Sequence, residues 1–224
     1  MDRTQKSSSS RIALRPKGTG RAPTKSEKTI SAILSAAEEL FLVKNYADVT
    51  MGQLAQSSGV TKGALYHHFP GKEDLYLQMM HAALARKRAL FSRALASGRD
   101  CRERLGSLTQ AFFDLPKNEI GLMRLVRRDI NIFAPPARTK LVRSYQASLP
   151  SLVEAVVRDG IRDGELAPAD PRLLAWHFVA TVEVTLGRHA DCVFKNSRTK
   201  QNHVLDLFFR GAAAARRAQQ GALS

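Results

Sequence analysis

Cysteine is nearly absent from this chain: 224 residues contain two, Cys101 and Cys192, in no CxxC or Cys/His ligand spacing. That excludes a disulfide framework and a thiolate zinc site, and it fits a reducing, cytoplasmic compartment. Aromatic residues are sparse at 7%, with a single tryptophan. No apolar run is long enough to cross a bilayer, because the best candidate, residues 173–186, carries His177 and Glu183 and falls short of the roughly 20 residues needed. No membrane association is expected. The basic N-terminal stretch has no apolar h-region, so it does not read as a secretory signal. Enzyme signatures are missing as well: there is no GxSxG, P-loop, HExxH or dinucleotide fingerprint, and the lone GTG at 18–20 follows no strand pattern. No catalytic residue, cofactor or metal ion is expected.

Positive charge is abundant. The formal net charge is +15 and the pI about 10.4, which calls for an acidic partner such as nucleic acid, an anionic surface or an acidic ligand. Residues 1–25, with "KSSSSR" and "RPKGTGRAP", combine Ser, Gly, Pro and basic residues that bury too little apolar area to offset the entropy of ordering. They read as a disordered basic arm. Through Lys28 the segment holds eight Lys or Arg and two acids, a net charge of +6, which suits tracking phosphates or entering a minor groove. A tail with no fixed role stays open at this point.

Every periodic segment after the arm is helical, so the fold class is all-α. Ile30, Ile33, Leu34, Ala37, Leu40 and Phe41 form one 3.6-residue stripe, a first helix from about Glu27 to Asn45. Thr50 is placed to cap a short second helix, Gly59 to end it in a left-handed conformation, and Thr61 to cap a third helix through Phe69. Two short helices joined by a tight Gly-containing turn make a helix-turn-helix. A long helix from Lys72 to about Ala96 follows, spanning roughly 36 Å. Further helices are expected over 101–115, 119–133, 137–163, 171–190 and 199–217. Asp170-Pro171 is a cap followed by Pro at the first helical position. The expected division is an arm over 1–25, a helix-turn-helix unit over 26–71 and a helical body over 72–224.

In the third helix Leu65 and Phe69 form the inward side, which turns Lys62, Gly63, Tyr66 and His67 outward. A cation, a phenol and a ring donor suit phosphate oxygens and base edges. Gly63 costs about 1 kcal/mol relative to Ala inside a helix, and a close backbone approach to phosphate would justify it. Lys72 opens a helix whose N-terminus disfavours a cation by about 0.3–1 kcal/mol unless an anion is near; pairing with Glu73 or Asp74 is the alternative. His67 and His68 project about 100° apart and cannot chelate one ion together.

The segments "TISAILSAAEELF", "VTMGQLAQSSGVTKGALYHHF" and "KEDL", within residues 29–75, resemble the DNA-binding domain of the TetR family of bacterial one-component transcription regulators. Two positions depart from the family pattern: Asn45 stands where Gly is usual before Tyr46, and Ser58 where Ala is usual before Gly59. The resemblance implies a homodimer on a double-stranded DNA operator, with contacts from Thr50, Thr61, Lys62, Gly63, Tyr66, His67 and Lys72. It also implies release from DNA when an unidentified small molecule enters the body, hence a ligand-responsive repressor. Residues 29–75 hold three Lys or Arg against five acids, net −2, so affinity is expected to come from few well-placed contacts plus the arm.

For the body, Phe112, Phe113, Met123, Phe133, Tyr145, Trp176 and His177 are the residues expected near a ligand pocket, each of them also a plausible core residue. Helices 171–190 and 199–217 are the expected dimerising pair. Glu183 is expected at the dimer interface, with a cationic ligand or Arg188 as alternative partners. The basic runs at 85–93 and 124–129 suit an anionic effector such as an acyl-coenzyme A or a fatty acid, or plain solvation. A sequence-indifferent DNA-coating protein is the competing reading for the whole chain, and it predicts a steep salt dependence on any duplex.

Overall fold

A computed structural model describes Ala22 and residues 24–212. The arm expected over 1–25 lies almost wholly outside the described residues, as does the stretch from 213 to 217 of the last expected helix. Among the described residues the chain forms α-helices, one 3-10 turn and no strand. The helices are α1 (Lys25–Val43), α2 (Met51–Ser57), α3 (Lys62–His68), α4 (Lys72–Leu95), α5 (Cys101–Phe113) and α6 (Lys117–Asp129). After the 3-10 turn (Ile130–Ile132) come α7 (Ala137–Ser148), α8 (Pro150–Arg162), α9 (Pro171–Val184), α10 (Arg188–Val193) and α11 (Ser197–Ala212).

Local chemistry sets these boundaries. α1 starts two residues before the expected Glu27, because Thr24 and Glu27 form a reciprocal capping box, with Thr24 N donating to Glu27 Oε2 at 2.7 Å. Thr50 does the same for α2 with Gln53, and the Thr61 hydroxyl accepts from Ala64 N at 3.1 Å to cap α3. Gly59 takes φ +68° between α2 and α3, a conformation that costs a residue with a Cβ about 1–2 kcal/mol. It lets Val60 N donate back to Ala55 O at 3.0 Å and reverses the chain.

Three expected helices are shorter than their patterns. The segment 137–163 is two helices: Leu149 sits at φ −141°, ψ −57°, and Pro150, which has no N–H to donate, starts α8. The segment 171–190 ends as α9 at Val184, turns through Leu186 and Gly187, and restarts as α10. The segment 119–133 tightens into the 3-10 turn after Asp129.

α4 is the axis of the molecule. Leu75, Tyr76, Met79, Met80, Ala83 and Leu84 on its first half are buried in one hydrophobic cluster with Ile33, Phe41, Leu54, Leu65 and Phe69 of the first three helices. The same cluster takes in Leu122, Leu125, Val126, Phe133 and Leu141 from beyond α5. The second half of α4 supplies Phe91 and Leu95 to a second cluster formed with α5, α8, α9 and α11. α6 crosses α1 so closely that a Cβ on Gly121 would stand 2.6 Å from Leu42 Cδ2.

Candidate nucleic-acid interface

Burial of Leu65 and Phe69, at 0% and 1% exposure, fixes the rotation of α3. Lys62, Gly63, Tyr66 and His67 are consequently exposed, Tyr66 by 51%. The stem of Lys62 lies across the first turn of α2. A Cβ on Gly52 would meet Lys62 Cε at 3.1 Å, Lys62 Nζ at 3.5 Å and Thr50 Oγ1 at 3.7 Å. The fold therefore brings Lys62 and Thr50 together from separate helices, a pairing with no sequence signal beyond the glycine. Thr50 and Thr61 are exposed, and each hydroxyl accepts one capping bond, which leaves its own hydrogen to donate outward.

Gly63 lies in open space. A Cβ there would find its nearest neighbour, Thr61 Oγ1, at 4.0 Å, so no contact within the described residues requires glycine. His67 and His68 stack edge to face with ring centroids 5.2 Å apart. Among the described residues no group of three or more His, Cys, Asp or Glu is arranged to hold a metal ion.

Lys72 has a different setting from the one its sequence position indicates. Its ammonium donates to the carbonyls of Tyr46 at 2.8 Å, Val49 at 2.8 Å and Ala47 at 3.3 Å, and lies 4.5 Å from the Tyr46 ring centroid. It pairs with neither Glu73 nor Asp74; it closes the loop between α1 and α2 onto the start of α4. Burial, then the Glu73 carboxylate, pushes the Tyr46 phenol up from its ordinary value.

Behind this surface sits a joint that the sequence reading did not find. The Tyr76 hydroxyl donates to Asp129 Oδ2 at 2.6 Å, and Arg128 grips the same carboxylate through Nε at 2.6 Å and Nη2 at 2.8 Å. Arg128 Nη2 also reaches the carbonyls of Phe41 and Lys44, both at 3.4 Å, where α1 ends. Asp129 is 3% exposed. Burial and this carboxylate raise the Tyr76 phenol far above its ordinary value. Phe41, Tyr46, Tyr76 and Phe133 surround the joint, with Phe41 and Tyr76 edge to face at 4.8 Å and Tyr46 and Phe133 at 5.4 Å. Arg-Arg-Asp at the end of an amphipathic helix was the available sequence signal.

The expected pocket residues do not share one cavity. Phe133 belongs to that aromatic joint, and His177 is exposed on α9. Trp176 packs near Tyr145, centroids 6.4 Å apart, and lines a shallow recess between α7, α8 and α9. Phe113 is half-buried against the second cluster. Phe112 and Met123 do line a common cavity of about 100 Å³, with Arg124, Arg127 and Glu183 at its rim.

Glu183 is engaged within its own chain. It pairs with Arg127 and accepts from the Tyr145 hydroxyl at 3.3 Å, in place of the Arg188 alternative. Burial and the Glu183 carboxylate push Tyr145 up to about 12. Much of the basic run at 85–93 is likewise spent internally: Arg86 pairs with Glu38 at 2.6 Å and Glu119 at 3.8 Å, and buried Lys87 pairs with Glu119. Burial and the Arg86 charge draw the Lys87 ammonium down to about 8.

Residues 33–79 match the family model described as bacterial regulatory proteins, tetR family. The chain is 28% identical over 127 residues to the HTH-type transcriptional activator FasR of Mycolicibacterium smegmatis, covering 57% of this chain and 58% of that protein, less than two thirds of its length. A bacterial regulatory protein in the tetR family from Rhodococcus RHA1 has the same fold, with TM-score 0.71 at 19% identity over 84% of this chain and 98% of that one. The transcriptional regulator FadR from Bacillus subtilis, solved in complex with stearoyl-CoA, superimposes with TM-score 0.68 at 18% identity over 81% of this chain and 98% of that one.

Proposed function

This chain belongs to the TetR family of bacterial transcriptional regulators, and on that premise we propose that it is a homodimeric repressor released from its operator by a small molecule. The observation that carries the DNA reading is α3. Its inward residues are fixed by the core, and its outward ones are a lysine, a tyrosine, a histidine and a glycine with no internal reason to be glycine. In the proposed complex α3 lies in the major groove, Tyr66 and His67 face base edges, and Lys62 with Thr50 and Thr61 meets phosphate. Lys72 acts mainly by holding the α1–α2 loop at the height where Thr50 reaches the backbone.

For the dimer, α9 exposes Leu173, His177, Ala180 and Val184, which recur at helical spacing on one face, and α11 exposes Leu207. A stripe of apolar and small residues of this kind favours a second copy over water. Two α3 helices then need a separation of roughly 34–36 Å to enter successive grooves. α6 is the proposed link between ligand and DNA: Arg127 faces the cavity rim through Glu183, and the next residue, Arg128, holds the end of α1. A ligand that favours another setting of α6 changes the angle of both reading helices.

Selection of duplexes from a random pool tests the reading. The expected product is a two-fold-related site bound at least about 10³ times more tightly than bulk duplex. Equal binding to all duplexes with a steep salt slope would instead establish the DNA-coating alternative. Gly63→Ala gives a second test. The added methyl meets nothing inside the protein, so stability holds or rises by up to about 1 kcal/mol. Operator affinity is nevertheless expected to fall about tenfold or more; unchanged affinity in a gel-shift titration would remove Gly63 from the interface.

A further inference from the structure

The cavity beneath Arg124 and Arg127 has one charged end and one apolar end. Its floor is Phe112 and Met123, both buried, with Ile120 and Leu186 half-buried beside them. At the rim two guanidinium groups face one carboxylate. Arg127 is paired with Glu183, whereas Arg124 donates only to the Leu186 carbonyl, at 3.2 Å, and no carboxylate of the described residues lies within ion-pair distance of it. The rim thus keeps one positive charge without a counter-ion. Below it, Phe112 also walls a second small void, lined by Leu108, Leu149, Phe178 and Val182. The one hydroxyl there, on Thr109, already donates to Leu105 O at 2.7 Å. The inner space therefore offers a polar tail no hydrogen-bond donor, and its remaining lining is apolar.

From this arrangement we infer that the cavity binds a small organic anion with an apolar tail, its carboxylate on Arg124 and Arg127 and its tail on Phe112. The inference rests on the reading that the body senses a small molecule, and it adds the chemical class and the residues that select it. An anion is favoured over a cation because a cation would have to take Glu183 from Arg127 while lying beside the uncompensated Arg124. The outer cavity, about 100 Å³, is small beside the roughly 300–1,000 Å³ of common ligand sites. The tail is therefore short unless the Phe112 ring turns away. That ring stacks on Phe91 with centroids 5.5 Å apart and stands as the partition between outer and inner space.

Titration of DNA-free dimer with hexanoate, hexylammonium and 1-hexanol, followed by calorimetry, separates the possibilities. Hexanoate is expected to bind at least tenfold more tightly than either of the others. Arg124→Gln, at an exposed position, keeps the fold and lowers hexanoate affinity about tenfold while leaving hexanol unchanged. In Phe112→Ala the preference shifts toward decanoate, with affinity rising roughly fourfold per added methylene. Tighter binding of hexylammonium, indifference of hexanoate to Arg124→Gln, or no binding of hexanoate would each overturn the inference, and none of these touches the DNA reading. Binding that passes these tests yet never releases operator would leave the site standing and refute the repressor mechanism.

Discussion

Operator binding is expected to fall by at least about 10²-fold when Lys62 and Tyr66 are both replaced by alanine, with melting temperature and dimer mass unchanged. Both side chains are exposed, and removing exposed groups usually changes stability by no more than about 0.5 kcal/mol. Each is proposed to contact DNA, where a base contact is worth about 1–3 kcal/mol; two losses near the middle of that range total about 4 kcal/mol, beyond the roughly 2.8 kcal/mol of a hundredfold change. Lys62→Ala alone should weaken all duplexes alike and flatten the salt dependence, because a phosphate contact carries no sequence information. Tyr66→Ala alone should lower the preference for the selected site. Footprinting decides: full protection of the operator by the double variant would remove α3 from the groove.

Asp129→Ala has the largest expected effect on stability, about 3 kcal/mol. The substitution leaves the buried Tyr76 hydroxyl without its acceptor, a loss of about 1–3 kcal/mol. It also strips Arg128 of its carboxylate and opens a small void under the aromatic residues around it. Arg128 is 38% exposed at its side chain, so water takes over part of its solvation and limits the total. Chemical denaturation of the dimer measures it. Tyr76→Phe, made in the Asp129→Ala background, should cost almost nothing further, since both halves of the hydrogen bond are then gone. An additive further loss would mean that the two side chains do not act as a unit.

Helices α2 and α3 were legible because local rules are strong there. Thr50, Gly59 and Thr61 specify their own backbone, and the Leu65 and Phe69 spacing fixes which side of α3 faces out. The body was less legible for two physical reasons. Helical periodicity continues through Leu149-Pro150 and Leu186-Gly187, so the pattern alone does not reveal where a helix stops and restarts. Partners across the body are far apart in sequence: Glu183 with Arg127, and Tyr76 with Asp129, meet only after the chain has folded. Phe133 shows the limit well. An aromatic residue after an apolar helix is as fitting for a ligand pocket as for a core, and its real neighbours, Tyr46 and Tyr76, lie more than fifty residues earlier.

The hydrophobic cluster beneath α3 does not stop where α4 begins. Leu75, Tyr76, Met79 and Met80 serve the first three helices and α6 and α7 alike. A fragment cut after residue 71 would therefore lose the floor it stands on. The same continuity ties the two together: the first half of the long helix cannot tilt without carrying the three helices before it, as a spade follows its handle.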